Sequence, residues 1–190
     1  MKKPIAIAAL ITIAFLSACA TPPTDEMNKA HDAVIRAEND PDAVSYAGNT
    51  LIRARDSLNR MQAEADAKRY DSAKNLANEA VNLAERAIAD GRTGAARAKE
   101  DAANLLNSLN GPLEETAKSL DTARDSRMLL DYDALSGDLD QARAGYDEGW
   151  KSYRENSFQD ATVKAQAARS ILSGINTKIT EAAQDSLRKK

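Results

Sequence analysis

Across 190 residues this chain has one cysteine, one histidine, eight glycines and five prolines, and aromatics make up 4% of it. A single cysteine excludes an internal disulfide framework. A single histidine excludes a His-rich metal site, and an ordinary Ser-His-Asp triad would have to run through His31. Glycine and proline are too scarce for a collagen-like or Pro/Gly-rich disordered chain. There is no basic excess either. Lys plus Arg is 26 against 29 Asp plus Glu, a net charge of −3, so no nucleic-acid partner is expected. What remains is rich in Ala, Leu, Asp, Arg and Asn, a composition that predicts an all-α fold.

The one long apolar run stands at the start. Met1-Lys2-Lys3 is a short positive segment, and Pro4 to Leu16 is apolar. At about a dozen residues the run is too short for a membrane-spanning helix and right for a secretory signal. Leu16-Ser17-Ala18-Cys19 follows, ending in the only cysteine. It resembles the bacterial lipobox, which implies cleavage before Cys19 and a diacylglycerol on its thiol. On that reading residues 1–18 are a lipoprotein signal peptide and residues 19–24, with Pro22-Pro23, a stiff lipidated tether. Two or three acyl chains would make the membrane a stable partner. Loss of Lys2 and Lys3 would leave −5 on the rest. Ala at position 20, by resemblance to enterobacterial lipoproteins, implies the outer membrane as the location.

The body is written in heptads. Asp25 and Glu26 suit a helix N-terminus, with Thr24 as the expected cap. Asn39-Asp40-Pro41 breaks that short helix, and Asp40 and Pro41 fit the cap and first turn of the next. Val44, Ala47, Leu51, Ala54, Leu58, Met61 and Ala65 then recur at alternating steps of 3 and 4, a helical seam. Lys68-Arg69-Tyr70 reads as a tight connection. Ala73, Ala77, Ala80, Ala84, Ala87, Gly91, Gly94 and Ala98 form a second seam of Ala and Gly alone, which lets helices approach closely. The two glycines invite a bend, or an end and restart. Asn110-Gly111-Pro112 reads as the main stop. From Leu113 the stripe runs, with a weak stretch at Asp121–Arg127, through Met128, Tyr132, Leu135, Leu139, Ala142, Tyr146, Gly149 and Tyr153. Asn156-Ser157 breaks it, and Ala161, Ala165, Ala168, Leu172, Ile175, Ile179 and Ala182 complete the chain.

The chain also repeats. At an offset of 88, Leu51, Ala54 and Arg55 fall on Leu139, Ala142 and Arg143, Tyr70 falls on Phe158, and Ala73, Ala77 and Ala80 fall on Ala161, Ala165 and Ala168. Heptads do not require matching aromatics and turns, so a duplication is expected. Tyr46-Ala47, Leu51, Ala54-Arg55, Leu58 and Arg69-Tyr70-Asp71-Ser72-Ala73 resemble a family of small helical envelope lipoproteins of uncharacterised function. Related segments precede OmpA-like peptidoglycan-binding domains. The resemblance implies location and helical architecture but no chemistry. The stretch from Tyr70 to Ala80 is also similar to the second helix of a tetratricopeptide repeat, yet the period is 88, not 34.

No catalytic residue, metal ligand set or cofactor site is expected. His31-Asp32 lacks further ligands, and the acid pairs Glu100-Asp101 and Glu114-Glu115 are adjacent, so their side chains diverge on a helix. Two positions could meet a partner. Tyr146, Trp150 and Tyr153 share one helix face, with Phe158 just past the turn and Arg143 and Arg154 close by. They form either an aromatic plug closing a hairpin or a contact patch for an envelope protein, a peptide or peptidoglycan. The chain ends Arg188-Lys189-Lys190. Such a basic end complements a helix C-terminus. It also resembles the major small outer-membrane lipoprotein of enteric bacteria, which implies a wall linkage at Lys190.

The architecture expected is two long antiparallel helical hairpins with Ala-rich seams, units 25–110 and 111–190, joined at Asn110–Pro112 and preceded by a short helix. The function expected is a non-catalytic adaptor or spacer on the periplasmic side of the outer membrane.

Overall fold

The computed structural model describes residues 21–188; the expected signal peptide at 1–18, Cys19 and Lys190 lie outside them. Those residues form seven helices and no strand: α1 (Thr24–Glu38), α2 (Pro41–Tyr46), α3 (Gly48–Asp66), α4 (Tyr70–Asn107), α5 (Asn110–Asp125), α6 (Tyr132–Arg154) and α7 (Phe158–Arg188). The all-α expectation holds. Two antiparallel hairpins, α3 with α4 and α6 with α7, carry the closest packing.

The Ala seams are the cores. Ala73, Ala77, Ala80, Ala84 and Ala87 are fully buried on α4, as are Ala161 and Ala165 on α7. Around them lie two separate clusters. One joins α1, α2, α3 and the first half of α4; the other joins Ala102 and Leu106 of α4 with α5, α6 and α7. The cores therefore divide within α4, between Ala87 and Ala102. At 38 residues this helix is about 57 Å long, at 1.5 Å per residue.

The duplication is visible in three dimensions. The α3 end at Asp66 and the α4 start at Tyr70 recur as Arg154 and Phe158, both 88 residues on. Both turns close in the same way. Lys68 takes a left-handed conformation (φ 59°), and Arg69 N–H donates to Glu64 C=O at 2.9 Å. Asn156 (φ 61°) and the bond from Ser157 N–H to Ser152 C=O, also 2.9 Å, repeat it. This is the Schellman closure, which satisfies carbonyls that a helix end leaves free.

Several expectations are corrected. Thr24 does not cap α1: Pro23 precedes the helix and no side chain caps it. The seam begins on Ala43, fully buried, whereas Val44 is 52% exposed. The helix from Pro41 breaks at Ala47, and counting explains it. Asp40-Pro41-Asp42-Ala43 and Asp131-Tyr132-Asp133-Ala134 are equivalent starts 91 residues apart, each with its Asp side chain accepting from the Ala N–H. The hairpins beyond sit 88 apart, so the first copy holds three extra residues. An insertion of three throws a helix out of phase, and the chain kinks.

Two further corrections concern the second half. Asn110-Gly111-Pro112 is not the stop: α4 ends at Asn107, Ser108 and Leu109 stay right-handed, and Gly111 and Pro112 lie in the first turn of α5. The stop is later. Arg127 (φ 54°) closes α5 with a third Schellman turn, and Met128–Leu130 loop to the Asp131 cap. The single stripe expected from Leu113 to Tyr153 is thus two helices.

Gly91 and Gly94 do not end α4, which runs unbroken from Tyr70 to Asn107. A Cβ on Gly91 would stand 2.5 Å from the Ala43 nitrogen, and one on Gly94 would stand 2.6 Å from the Tyr46 Cβ. These two glycines let α2 lie directly on the α4 backbone.

Candidate functional site

The α6–α7 turn gathers the aromatic residues. Tyr146, Trp150 and Tyr153 project from α6 at helical spacing, and Phe158 opens α7 after the tight turn at Asn156-Ser157. The rings form one continuous row. Tyr146 meets Trp150 at 6.4 Å and 87°, Trp150 meets Tyr153 at 5.4 Å and 78°, and Tyr153 meets Phe158 at 5.5 Å and 60°. Edge-to-face contact sets the positive rim of one ring against the negative face of the next, worth about 0.5–1.5 kcal/mol per pair beyond burial. Phe158 is buried; the other three are half-buried against the second core. Arg154 is exposed beside them, and Arg143 pairs with Asp140 at 3.3 Å. The row thus has an inner side that packs and an outer side open to solvent.

Behind it lies a polar cluster that carries no sequence signature. The buried Ser152 hydroxyl donates to Asp160 Oδ2 at 2.6 Å. Lys164 Nζ donates to Ser152 Oγ at 2.9 Å and reaches Asp160 at 2.9 Å. A serine and a lysine at this distance are the makings of a nucleophile and a base, but a lysine base must be neutral. Here the hydrogen bond from Lys164 to Asp160 raises the lysine pKa and keeps it a cation. Asp160 is held below its ordinary pKa by the Ser152 hydroxyl first and Lys164 second. The cluster is a clamp that ties α6 to α7 across the turn. The first hairpin has its own version. Glu64 and Ser72 occupy the positions of Ser152 and Asp160, with carboxylate and hydroxyl exchanged. Arg69 Nη2 donates to Glu64 Oε1 at 2.7 Å, and Arg69 ahead of Ser72 pulls the Glu64 pKa down to about 2.

The aromatic row also borders the joint between the two cores. Gly149 is buried on α6, and the Leu106 side chain of α4 lies where its Cβ would be, 2.8 Å away. Leu106 is 0% exposed. Sequence reading missed this contact. Its one signal was a glycine inside an otherwise unbroken helical stripe.

His31 is exposed on α1. Among the described residues no group of three His, Cys, Asp or Glu side chains is arranged to hold a metal ion, and no helix is long and apolar enough to cross a membrane. Cys19 and Lys190, the residues the sequence suggests for lipidation and wall linkage, fall outside the described residues. Their neighbours do not: Thr21–Glu26 lie beside Tyr70, Asp71 and Lys74, and Lys74 pairs with Glu26 at 2.7 Å.

A family model, described as a domain of unknown function (DUF4398), matches residues 25–103. That span covers the first copy of the repeat, from α1 into α4. Comparison with curated proteins and with solved structures gave no match.

Proposed function

We propose that the chain is a lipoprotein of the outer membrane, anchored through Cys19 and facing the periplasm, where it serves as a non-catalytic helical spacer or adaptor. The observation that carries this reading is the path of the chain away from its tether. Thr21–Pro23 meet the N-terminal end of α4, which runs about 57 Å to the second core. Leu106 reaches the start of α7, Pro112 lies against Arg169 and Leu172, and Thr116 bonds Asn176 at 2.9 Å. So α5 and α7 run onward side by side, and the C-terminal end of α7 stands beyond the far end of α4. A lipid at one end and a wall or protein contact at the other would suit this separation. The small Ala seams let the helices pack closely along their length.

A second reading uses the aromatic row. The solvent side of Tyr146, Trp150 and Tyr153, with Arg154, supports contact with a peptide or with peptidoglycan.

Crosslinking in intact cells, with mass spectrometry of the adducts, tests both. The adaptor reading expects one envelope protein, or a wall fragment on Lys190, and acyl mass on Cys19. Wild-type chain without acyl mass, and a Cys19→Ser variant that fractionates with the outer membrane like wild type, would overturn the anchor. An adduct at Trp150 that disappears in Arg154→Ala would favour the aromatic row.

A further inference from the structure

The link between α5 and α6 is the place where the second copy departs most from the first. In the first copy one residue, Asn39, separates α1 from the Asp40 cap. In the second, five stand between α5 and the Asp131 cap, three of them Met128, Leu129 and Leu130. The first copy shows that the fold closes this link without apolar residues. Yet Leu129 is 88% exposed, the most open large hydrophobic side chain of the described residues. It is held out by a fixed loop. The Tyr132 hydroxyl lies 2.9 Å from Ala123 C=O and 2.8 Å from Met128 C=O, and the Arg124 guanidinium stands 5.2 Å from the Tyr132 ring centre.

Beside this knob is a hole. An open groove of about 420 Å³ runs between the loop and the end of α7, lined by Leu129 itself, Leu135, Lys178, Glu181, Ala182 and Asp185; Lys178 is already paired with Asp138 at 3.4 Å. Neither acid forms an ion pair among the described residues, and nor does Arg127, two residues before Leu129. The loop thus carries a protruding leucine and, two residues earlier, a cation in no ion pair among the described residues, and the groove beside it carries two acids likewise in none. A surface carrying a knob and its adjacent hole is complementary to itself, as a two-fold interface requires.

We infer that the occupant of this groove is a second copy of the chain. Leu129 of each copy seats in the groove of the other, and Arg127 of each meets Glu181 and Asp185 of its partner. The contact is at the pole away from the tether, so the dimer joins far ends and leaves both tethers free.

Sedimentation equilibrium of the full chain, in detergent matched to the solvent density, reads the protein mass directly. The expected result is a reversible monomer–dimer equilibrium at tens of micromolar. Leu129→Asp should weaken it at least tenfold, and Arg127→Glu should weaken it as well. Arg127→Glu combined with Glu181→Lys and Asp185→Lys should restore it. Circular dichroism should be unchanged in Leu129→Asp, because the side chain touches little in its own copy. A monomeric wild type at 200 μM would overturn the inference. So would a Leu129→Asp chain as dimeric as wild type, or a Leu129-dependent binding to phosphatidylethanolamine–phosphatidylglycerol vesicles by a chain that stays monomeric.

Discussion

The two copies of the repeat differ in how each completes its core. Position 61 on α3 is methionine, 2% exposed; its equivalent on α6 is Gly149. The first copy fills the space from its own helix. The second leaves it open and takes Leu106 from α4, the last helix of the first copy. The two units are thus coupled by one exchange of volume: a side chain absent at one site is supplied from its neighbour.

The sharpest way to break this comparison is to remove the filler from each. Leu106→Ala and Met61→Ala should each cost about 2–5 kcal/mol, the usual range for emptying a buried site. Trp150 is the only tryptophan, so fluorescence follows the second unit alone while circular dichroism follows both. Leu106→Ala should lower the fluorescence midpoint in urea, and Met61→Ala should lower mainly the circular-dichroism midpoint. Identical shifts in both signals for both variants would mean the units unfold as one.

A second pair compares glycines that look alike in sequence. Gly91→Ala drives a Cβ into the α2 backbone, a contact that cannot swing aside, and should destabilise by about 1–3 kcal/mol. Gly174 on α7 has open space around it, so Gly174→Ala should stabilise by about 0.5–1 kcal/mol through helix propensity. Thermal melting reads the opposite signs. Two shifts of the same sign would refute the close approach of α2.

The smallest effect separates the two clamps by acid. Glu64 is half-buried, and Arg69 holds it at about 2 against an ordinary 4.5. A depressed carboxylate stabilises the fold fully above its unfolded pKa and loses that contribution as pH falls through the folded value. The melting gap between wild type and Glu64→Gln should therefore be largest at neutral pH, narrow below about 4.5 and close near 2. A gap independent of pH would remove the clamp.

Much of this fold is legible in the sequence because the cause is local. Alanines at steps of 3 and 4 mark the seams on α4 and α7, and Asp40-Pro41 marks a cap. The equal turns at Lys68 and Asn156 lie at equal offsets. What is not legible depends on phase or distance. Met128, Leu129 and Leu130 read as a stripe carried through, because a loop with outward leucines has the same letters as a helix with inward ones. Val44 reads as seam because the three extra residues around Ala47 shift the phase between α2 and α3. The aromatic row was visible at i, i+4 and i+7. The Ser152–Asp160–Lys164 clamp was not, since a lone hydroxyl carries no period. Leu106 against Gly149 joins helices more than forty positions apart, and only the fold brings them together.

The exchange at Met61 and Gly149 also fixes the order of the two halves. A half that carries its own methionine needs no helix ahead of it to fill that site. A half with glycine there is unfinished until a helix arrives from upstream. Swapping the halves by circular permutation would leave the glycine-bearing one first, with its gap unfilled. Made without α4, it would be expected to recruit whatever apolar helix it meets. The two copies are therefore not interchangeable: one methionine side chain, present in the first and absent from the second, sets the order in which they must follow one another.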